Sequence, residues 1–168
     1  SIQSVYGGSA DDTLIGSNGE NIIKGNGGND ILAGADGDDV YLFEDNFGQD
    51  TLTEISGVDT LNFSGVTSTV QFNLAGFTVT NGANSLAYNG NQLERFIGGS
   101  VDDTFAFANG FALPTAGWIN GSDGSDWLEA PNLTEVKALV AGEWGQANVF
   151  QLTVQQTQPA VEAEGAKK

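Results

Sequence analysis

Asp12, Asn21, Asp30 and Asp39 stand nine residues apart, and Asp50 and Asp59 resume that interval after a step of 50 − 39 = 11. Carboxylate and amide oxygens at so regular a spacing suit one chemistry above others, the capture of a hard, oxygen-seeking cation. Pairs of carboxylates also perform glycoside hydrolysis, one as acid and one as nucleophile or base. Acidic side chains on the turns of a repetitive chain read better as ligands or solvated surface, and Glu44, Glu54, Glu94, Glu129, Glu135 and Glu143 read individually as solvated. The chain has no histidine and no cysteine, which excludes disulfides and thiolate metal sites and leaves Ser64 and Ser100 without the base a serine triad needs. No catalytic residue is assigned, and the chain is not expected to be an enzyme.

These oxygens are positioned by an internal repeat. Residues 7–42 divide without a slip into nonamers headed by Gly7, Gly16, Gly25 and Gly34. The fourth slot holds Ala10, Gly19, Gly28 and Gly37, the sixth Asp12, Asn21, Asp30 and Asp39, and the eighth Leu14, Ile23, Leu32 and Tyr41. Glycines allow tight turns and let carbonyl groups converge, while a large apolar residue in the eighth slot points from a short strand into a core. Gly48-Gln49-Asp50-Thr51-Leu52 and Gly57-Val58-Asp59-Thr60-Leu61 repeat the second half of the unit, after a two-residue insertion near Asn46-Phe47.

Composition points the same way. Gly occurs 24 times and Pro 3 times, and 22 Asp and Glu face 5 Lys and Arg, a formal net charge of −17. Such a chain repels itself, so it stays disordered, lives in high salt or uses cations to neutralise its carboxylates. With Arg95 as its single arginine it offers no basic surface for nucleic acid or anionic lipid. No apolar run approaches the ~18 residues that span a bilayer, so no membrane insertion is expected. Ser1-Ile2-Gln3 resembles neither a signal peptide nor a methionine start, and the chain reads as a piece of something longer.

The four nonamers resemble the G-G-x-G-x-D-x-U-x repeats of RTX (repeats-in-toxin) proteins, which bind Ca2+ in parallel β-helical turns. That resemblance implies a turn from the first six residues, a strand from the last three, and ions shared by turns two repeats apart. Carried over slot by slot, it pairs Asp12 with Asp30 and Asp50 on one edge, and Asn21 with Asp39 and Asp59 on the other. The carbonyl groups of Gly27, Asn29, Asp36 and Asp38 complete the shells, and several Ca2+ ions are implied. Asn21, Ala10 and Ser17 depart from the pattern and weaken the sites of the first two repeats.

Beyond residue 65 the nonamer fades and strand character persists. Val70, Phe72 and Leu74 alternate with polar residues, Phe77–Thr80 is aromatic and β-branched, and Asn81-Gly82 and Asn89-Gly90 mark turns. The motif returns at Gly98–Phe105 with Asp103 and at Gly121–Leu128 with Asp126, implying two further turns and ions. Trp118, Trp127 and Trp144 read as core or end-capping groups, with sugar stacking as the alternative if exposed. The seventh-slot residues Ile22, Ile31 and Val40 face outward, where local packing or self-association are both open. Residues 131–141 fit either a capped helix or a strand, with strand preferred, and 149–154 reads as a strand.

The expected architecture is all-β: a parallel β-roll or β-solenoid of Ca2+-binding nonapeptide turns extended by irregular β coils. Its parts are residues 1–65 as the roll, 66–154 as a solenoid-like extension, and 155–168 as a flexible tail. The layout is similar to that of large bacterial RTX adhesins and surface proteins. The resemblance implies a secreted module, exported by type I secretion, that folds on Ca2+ outside the cell or on the bacterial surface. It would serve adhesion or the assembly of a surface layer or filament, with self-association among its copies. The alternative is an accessory calcium module of an exported polysaccharide-modifying enzyme, with extracellular polysaccharide as partner. Ice binding lacks the regular outward threonine rows it would need.

Overall fold

The computed structural model describes residues 3–90, 92–108, 117–130 and 151–154, and among them the chain is all strand and turn. No helix of the described residues is long and apolar enough to cross a membrane. The strands are β1 (Gln3–Tyr6), β2 (Thr13–Ile15), β3 (Asn21–Lys24), β4 (Ile31–Ala33), β5 (Val40–Glu44), β6 (Gln49–Thr53) and β7 (Thr60–Gly65), followed by β8 (Gln71–Asn73), β9 (Thr78–Asn81), β10 (Asn84–Tyr88), β11 (Arg95–Ile97), β12 (Thr104–Ala106), β13 (Trp118–Asn120), β14 (Trp127–Ala130) and β15 (Gln151–Val154).

Each nonamer contributes one turn and one strand, and successive strands go to opposite sheets. The first sheet runs β1-β3-β5-β7-β11-β13 and is parallel throughout, and the second runs β2-β4-β6-β10-β9-β8-β12-β14-β15. The period-2 alternation of a strand leaves the middle residue of each three-residue run facing inward. In-register pairing therefore stacks eighth-slot residues: Val5, Ile23, Tyr41, Leu61, Phe96 and Ile119 in the first sheet, and Leu14, Leu32 and Leu52 in the second. All of these except the two at the N-terminal end, Val5 and Leu14, are buried.

The two-residue insertion has a packing role. Asn46 turns at φ 62°, and Phe47, 2 % exposed, enters the core edge-on to Phe43 and Phe63, which stack on one another at 4.4 Å. A second stack, Phe72 on Phe105 at 4.4 Å, joins the later part of the chain.

The expected parallel order is broken in one place. β8, β9 and β10 pair antiparallel before parallel pairing resumes, from β8 to β12 and from β10 to β6. The connection from Asn81 to Asn84 is too short to carry a crossover and permits only an antiparallel return. Gly82 supplies a left-handed residue there, at φ 60°. The Asn-Gly signal marks this turn in the sequence, but the direction of the next strand follows from the loop length.

Trp118 is half-buried in β13, with the Arg95 guanidinium 6.0 Å from its ring, and Trp127 lies on the outside of β14, 37 % exposed. Among the seventh-slot residues Ile31 is 54 % exposed while Ile22 and Val40 are half-buried. Of the strand expected at 149–154, the described residues 151–154 are present as β15. The helix-or-strand alternatives at 131–141, Trp144 and the tail 155–168 lie outside the described residues.

Candidate metal centre

Sixth-slot residues stand where a turn enters a strand. The side chains of Asp30, Asp39, Asp50, Asp59, Asp103 and Asp126 reach the backbone of a neighbouring turn, whereas those of Asp12 and Asn21 accept from Gly8 N–H and Ser17 N–H of their own turns. On the second-sheet edge Asp12 N–H donates to Asp30 Oδ1 at 2.8 Å, and Asp30 N–H to Asp50 Oδ1 at 2.8 Å. On the first-sheet edge Asn21 N–H donates to Asp39 Oδ1 at 2.7 Å, Asp39 N–H to Asp59 Oδ1 at 2.8 Å, and Asp59 N–H to Glu94 Oε2 at 2.8 Å. A third ladder runs from Val70 N–H to Asp103 Oδ1 at 2.7 Å and from Asp103 N–H to Asp126 Oδ1 at 2.9 Å. The structure thus brings Asp12, Asp30 and Asp50 into one row and Asn21, Asp39 and Asp59 into another, in the order read from the repeat.

The second oxygen of these carboxylates defines the chemistry. Oδ2 of Asp30, Asp39, Asp50, Asp59 and Asp126 is buried and has no hydrogen-bond partner. A buried, unpaired carboxylate oxygen is among the costliest groups a fold can hold. The ion pair found among the described residues, Lys24 with Glu44 at 2.7 Å, involves an exposed carboxylate and none of the three ladders. Burial accordingly pushes the carboxyl groups up, Asp50 and Asp59 to about 7 and Asp103 to about 6, and raises Asp30, Asp39 and Asp126 as well. Against Asp50 the like charge of Asp30 adds to burial, and against Asp59 the charges of Asp39 and Glu94 do so.

The head glycines make room for these oxygens. A Cβ on Gly7 would lie 2.7 Å from Asp12 Oδ2, and closer approaches arise at Gly25 with Asp30, Gly98 with Asp103 and Gly121 with Asp126. Calcium takes about 6–8 oxygen ligands at roughly 2.3–2.6 Å. Side-chain-free hollows edged by carboxylate oxygens, that of Asp30 beside Gly25 without a partner and that of Asp12 beside Gly7 bonded to Gly8 N–H, and by carbonyl groups such as that of Gly25 beside Gly7, fit that donor set. The residues present therefore suit a hard divalent cation.

The remaining expected ligands sit at the tips of the turns. Gly27 and Asp36 are half-buried, and Asn29 and Asp38 are exposed. Side chains in the fifth slot form a second set of staples, not anticipated from the repeat: Asn29 N–H donates to Asp11 Oδ1 at 2.8 Å, Gln49 N–H to Asn29 Oδ1 at 3.0 Å, Val58 N–H to Asp38 Oδ1 at 3.0 Å, and Ser125 N–H to Asp102 Oδ1 at 2.9 Å. Asp36 Oδ1 accepts from the Ser56 hydroxyl at 2.7 Å.

Two residues read as solvated are instead buried, Glu54 at 2 % and Glu94 at 6 % exposure. Glu94 occupies the sixth slot before β11, and a signal for it exists: Glu94-Arg95-Phe96-Ile97-Gly98 has the spacing of Asp12-Thr13-Leu14-Ile15-Gly16. Glu54 fills a head slot held by glycine in all four nonamers. Asp39, Glu54 and Asp59 each bring a carboxylate oxygen within 4.8 Å of the others, and the Tyr41 hydroxyl donates to Glu54 Oε1. Burial, then the charge of Asp59, pushes Glu54 up to about 8.

An all-β chain of mostly parallel strands, with turns carrying inward carboxylates at nine-residue intervals, is consistent with a calcium-binding β-roll in its N-terminal part. Residues 6–41 match the RTX calcium-binding nonapeptide repeat in four copies, and such repeats bind Ca2+. The chain is also similar to the type IV pilus inner membrane component PilN of Pseudomonas aeruginosa, 59 % identical over 58 residues. That likeness covers 30 % of this chain and 29 % of that protein, so the chain spans less than a third of the curated relative. No solved structure matches the chain.

Proposed function

We propose that the chain is a secreted structural module, a β-roll continued as a β-solenoid, in which calcium switches folding on outside the cell for adhesion or for assembly of a surface layer or filament. The observation that supports this reading best is the set of buried, unpartnered Oδ2 atoms on Asp30, Asp39, Asp50, Asp59 and Asp126. The proposed ligands are Asp12, Asn21, Asp30, Asp39, Asp50, Asp59, Asp103 and Asp126, with the carbonyl groups of Gly27, Asn29, Asp36 and Asp38. Residues 1–65 form the roll, 66–154 its extension and 155–168 a tail. Without cations the carboxylates repel and the glycine-rich turns are entropically costly to order. In the ~10⁻³ M calcium outside cells, sites of the ~10⁻⁴ to 10⁻³ M extracellular class fill. A bacterial type I route then carries an unfolded chain that folds after exit. Circular dichroism with light scattering during a Ca2+ titration tests this: β-sheet signal and particle size rise together if calcium drives both folding and assembly. A folded, monodisperse chain in chelator refutes it.

A second reading, the accessory polysaccharide-binding module, is favoured by the outer face of the second sheet. Gln71, Asn73, Thr78, Thr80, Thr104 and Glu129 line an open groove of about 430 Å³ there. Trp127, paired with Thr104, presents its exposed indole beside it. Hydroxyl and amide groups flanked by an aromatic ring suit an uncharged sugar chain. Retardation of the calcium-loaded protein in gels containing a neutral glucan, abolished by Trp127→Ala, supports it, and equal migration with and without glucan dismisses it.

A further inference from the structure

On the first-sheet edge the head slot lies five residues before each sixth-slot residue, and it runs Gly16, Gly34, Glu54 and Asn89. Glu54 is held by its backbone: its N–H donates to Asn89 Oδ1 at 2.7 Å, and its carbonyl accepts from Asn89 Nδ2 at 2.7 Å. Its side chain consequently turns inward, toward the preceding head slot. Asp39 Oδ2, Glu54 Oε1 and the Tyr41 hydroxyl all lie within 2.5 Å of the point a Cβ on Gly34 would occupy. The eighth slot, apolar at Leu14, Ile23 and Leu32, has here acquired a hydroxyl. Asp59 supplies the third carboxylate of the group, and Asp39 Oδ2 and Asp59 Oδ2 are buried without partners on residues of zero exposure.

Resting on the calcium reading above, we infer that Glu54 and Tyr41 join Asp39 and Asp59 in a cation centre distinct in composition from the nonapeptide turns, and that this centre takes Ca2+ first and nucleates the roll. Three carboxylates on one ion exceed the two that neighbouring sixth-slot residues supply, and affinity in oxygen-ligand sites rises with ligand charge. The centre also joins β5 through Tyr41, the end of β6 through Glu54, which follows it, and the start of β7 through Asp59, which precedes it, so filling it fixes both sheets at once. Glu54 Oε2 accepts from Ile55 N–H at 3.1 Å and Oε1 from Tyr41, which leaves the carboxylate oriented before an ion arrives.

The test uses the full chain titrated with CaCl2 by calorimetry and with Tb3+ by luminescence excited through tyrosine. Wild type shows a tight phase followed by weaker ones. Glu54→Gln weakens the tight phase by about tenfold or more, since loss of even an outer-shell partner costs a metal site about 10–100-fold, and leaves the weaker phases in place. Should Glu54→Gln fail to fold, Tyr41→Phe decides: it weakens the tight phase, since the hydroxyl that orients Glu54 is lost, and at saturation removes most of the Tb3+ emission that phase carries, because the antenna beside the ion is gone. The inference is overturned if Glu54→Gln titrates like wild type, or if Tyr41→Phe leaves the emission of the tight phase unchanged; Glu54 is then only a protonated carboxyl bonded to Tyr41. A wild-type chain that binds no calcium in any phase overturns the broader calcium reading instead.

Discussion

Asp30→Asn is expected to move stability in opposite directions with and without calcium. Asp30 is 1 % exposed, accepts from Asp12 N–H through Oδ1, donates its own N–H to Asp50 Oδ1, and leaves Oδ2 unpartnered. An asparagine keeps the Oδ1 bond and removes the charge. Neighbouring carboxylates at a strand spacing of about 4.8 Å repel by about 3 kcal/mol at an effective dielectric of about 20. The part-exposed Asp12 is screened, so relief comes mainly from Asp50, and the calcium-free fold gains about 3 kcal/mol. With calcium, the positions on either side of Asp30 lose a ligand, and each contributes about 2.7 kcal/mol when Ca2+ exceeds its Kd a hundredfold. The loaded chain is then about 2 kcal/mol less stable than wild type, a shift of about 1 M in urea midpoint. The assay is far-UV circular dichroism, with urea unfolding in CaCl2 and osmolyte-driven refolding in EGTA. A change of the same sign in both media refutes the reasoning, because it reduces Asp30 to an ordinary packing residue.

Acid should partly replace calcium. The folded carboxyls of Asp50 and Asp59 lie at about 7 and that of Glu54 at about 8, all raised by burial. From about pH 4 to pH 8 the folded chain therefore holds more protons than the unfolded one, and stability falls as pH rises across that window. In EGTA the β-sheet signal is expected to be larger at pH 4.5 than at pH 8, and the reverse order contradicts the assignment. Gly34→Ala drives a methyl into Asp39, Glu54 and Tyr41 and should abolish folding even in CaCl2, whereas Gly19→Ala meets nothing within 4 Å and should melt close to wild type. Phe72→Ala removes the ring stacked on Phe105 and should cost about 3–5 kcal/mol in calcium, read as a lower urea midpoint.

The repeat made much of this legible. Nine-residue spacing with an apolar eighth slot places Leu14, Leu32 and Leu52 in one stack and Ile23, Tyr41 and Leu61 in another, because slot number alone decides which way a side chain faces. The carboxylate rows are legible for the same reason. Antiparallel β8–β9–β10 is not, since strand direction there depends on a short loop closing between Asn81 and Asn84. Glu54 and Glu94 are obscured because charge suggests solvent, and only stacking reveals that Glu54 in its head slot and Glu94 in its sixth slot are buried. The fifth-slot staples from Asp11, Asn29, Asp38 and Asp102 depend on the offset between adjacent turns, which no single repeat contains.

Hydrogen–deuterium exchange at the amides of Asp12, Asn21, Asp30, Asp39 and Asp59 tests the central claim most directly, because each of these N–H groups donates to a carboxylate of the adjoining turn. If cations hold the ladders together, these amides exchange at unfolded-chain rates in EGTA and become protected once CaCl2 is added. Strong protection in EGTA that calcium does not increase would contradict the account.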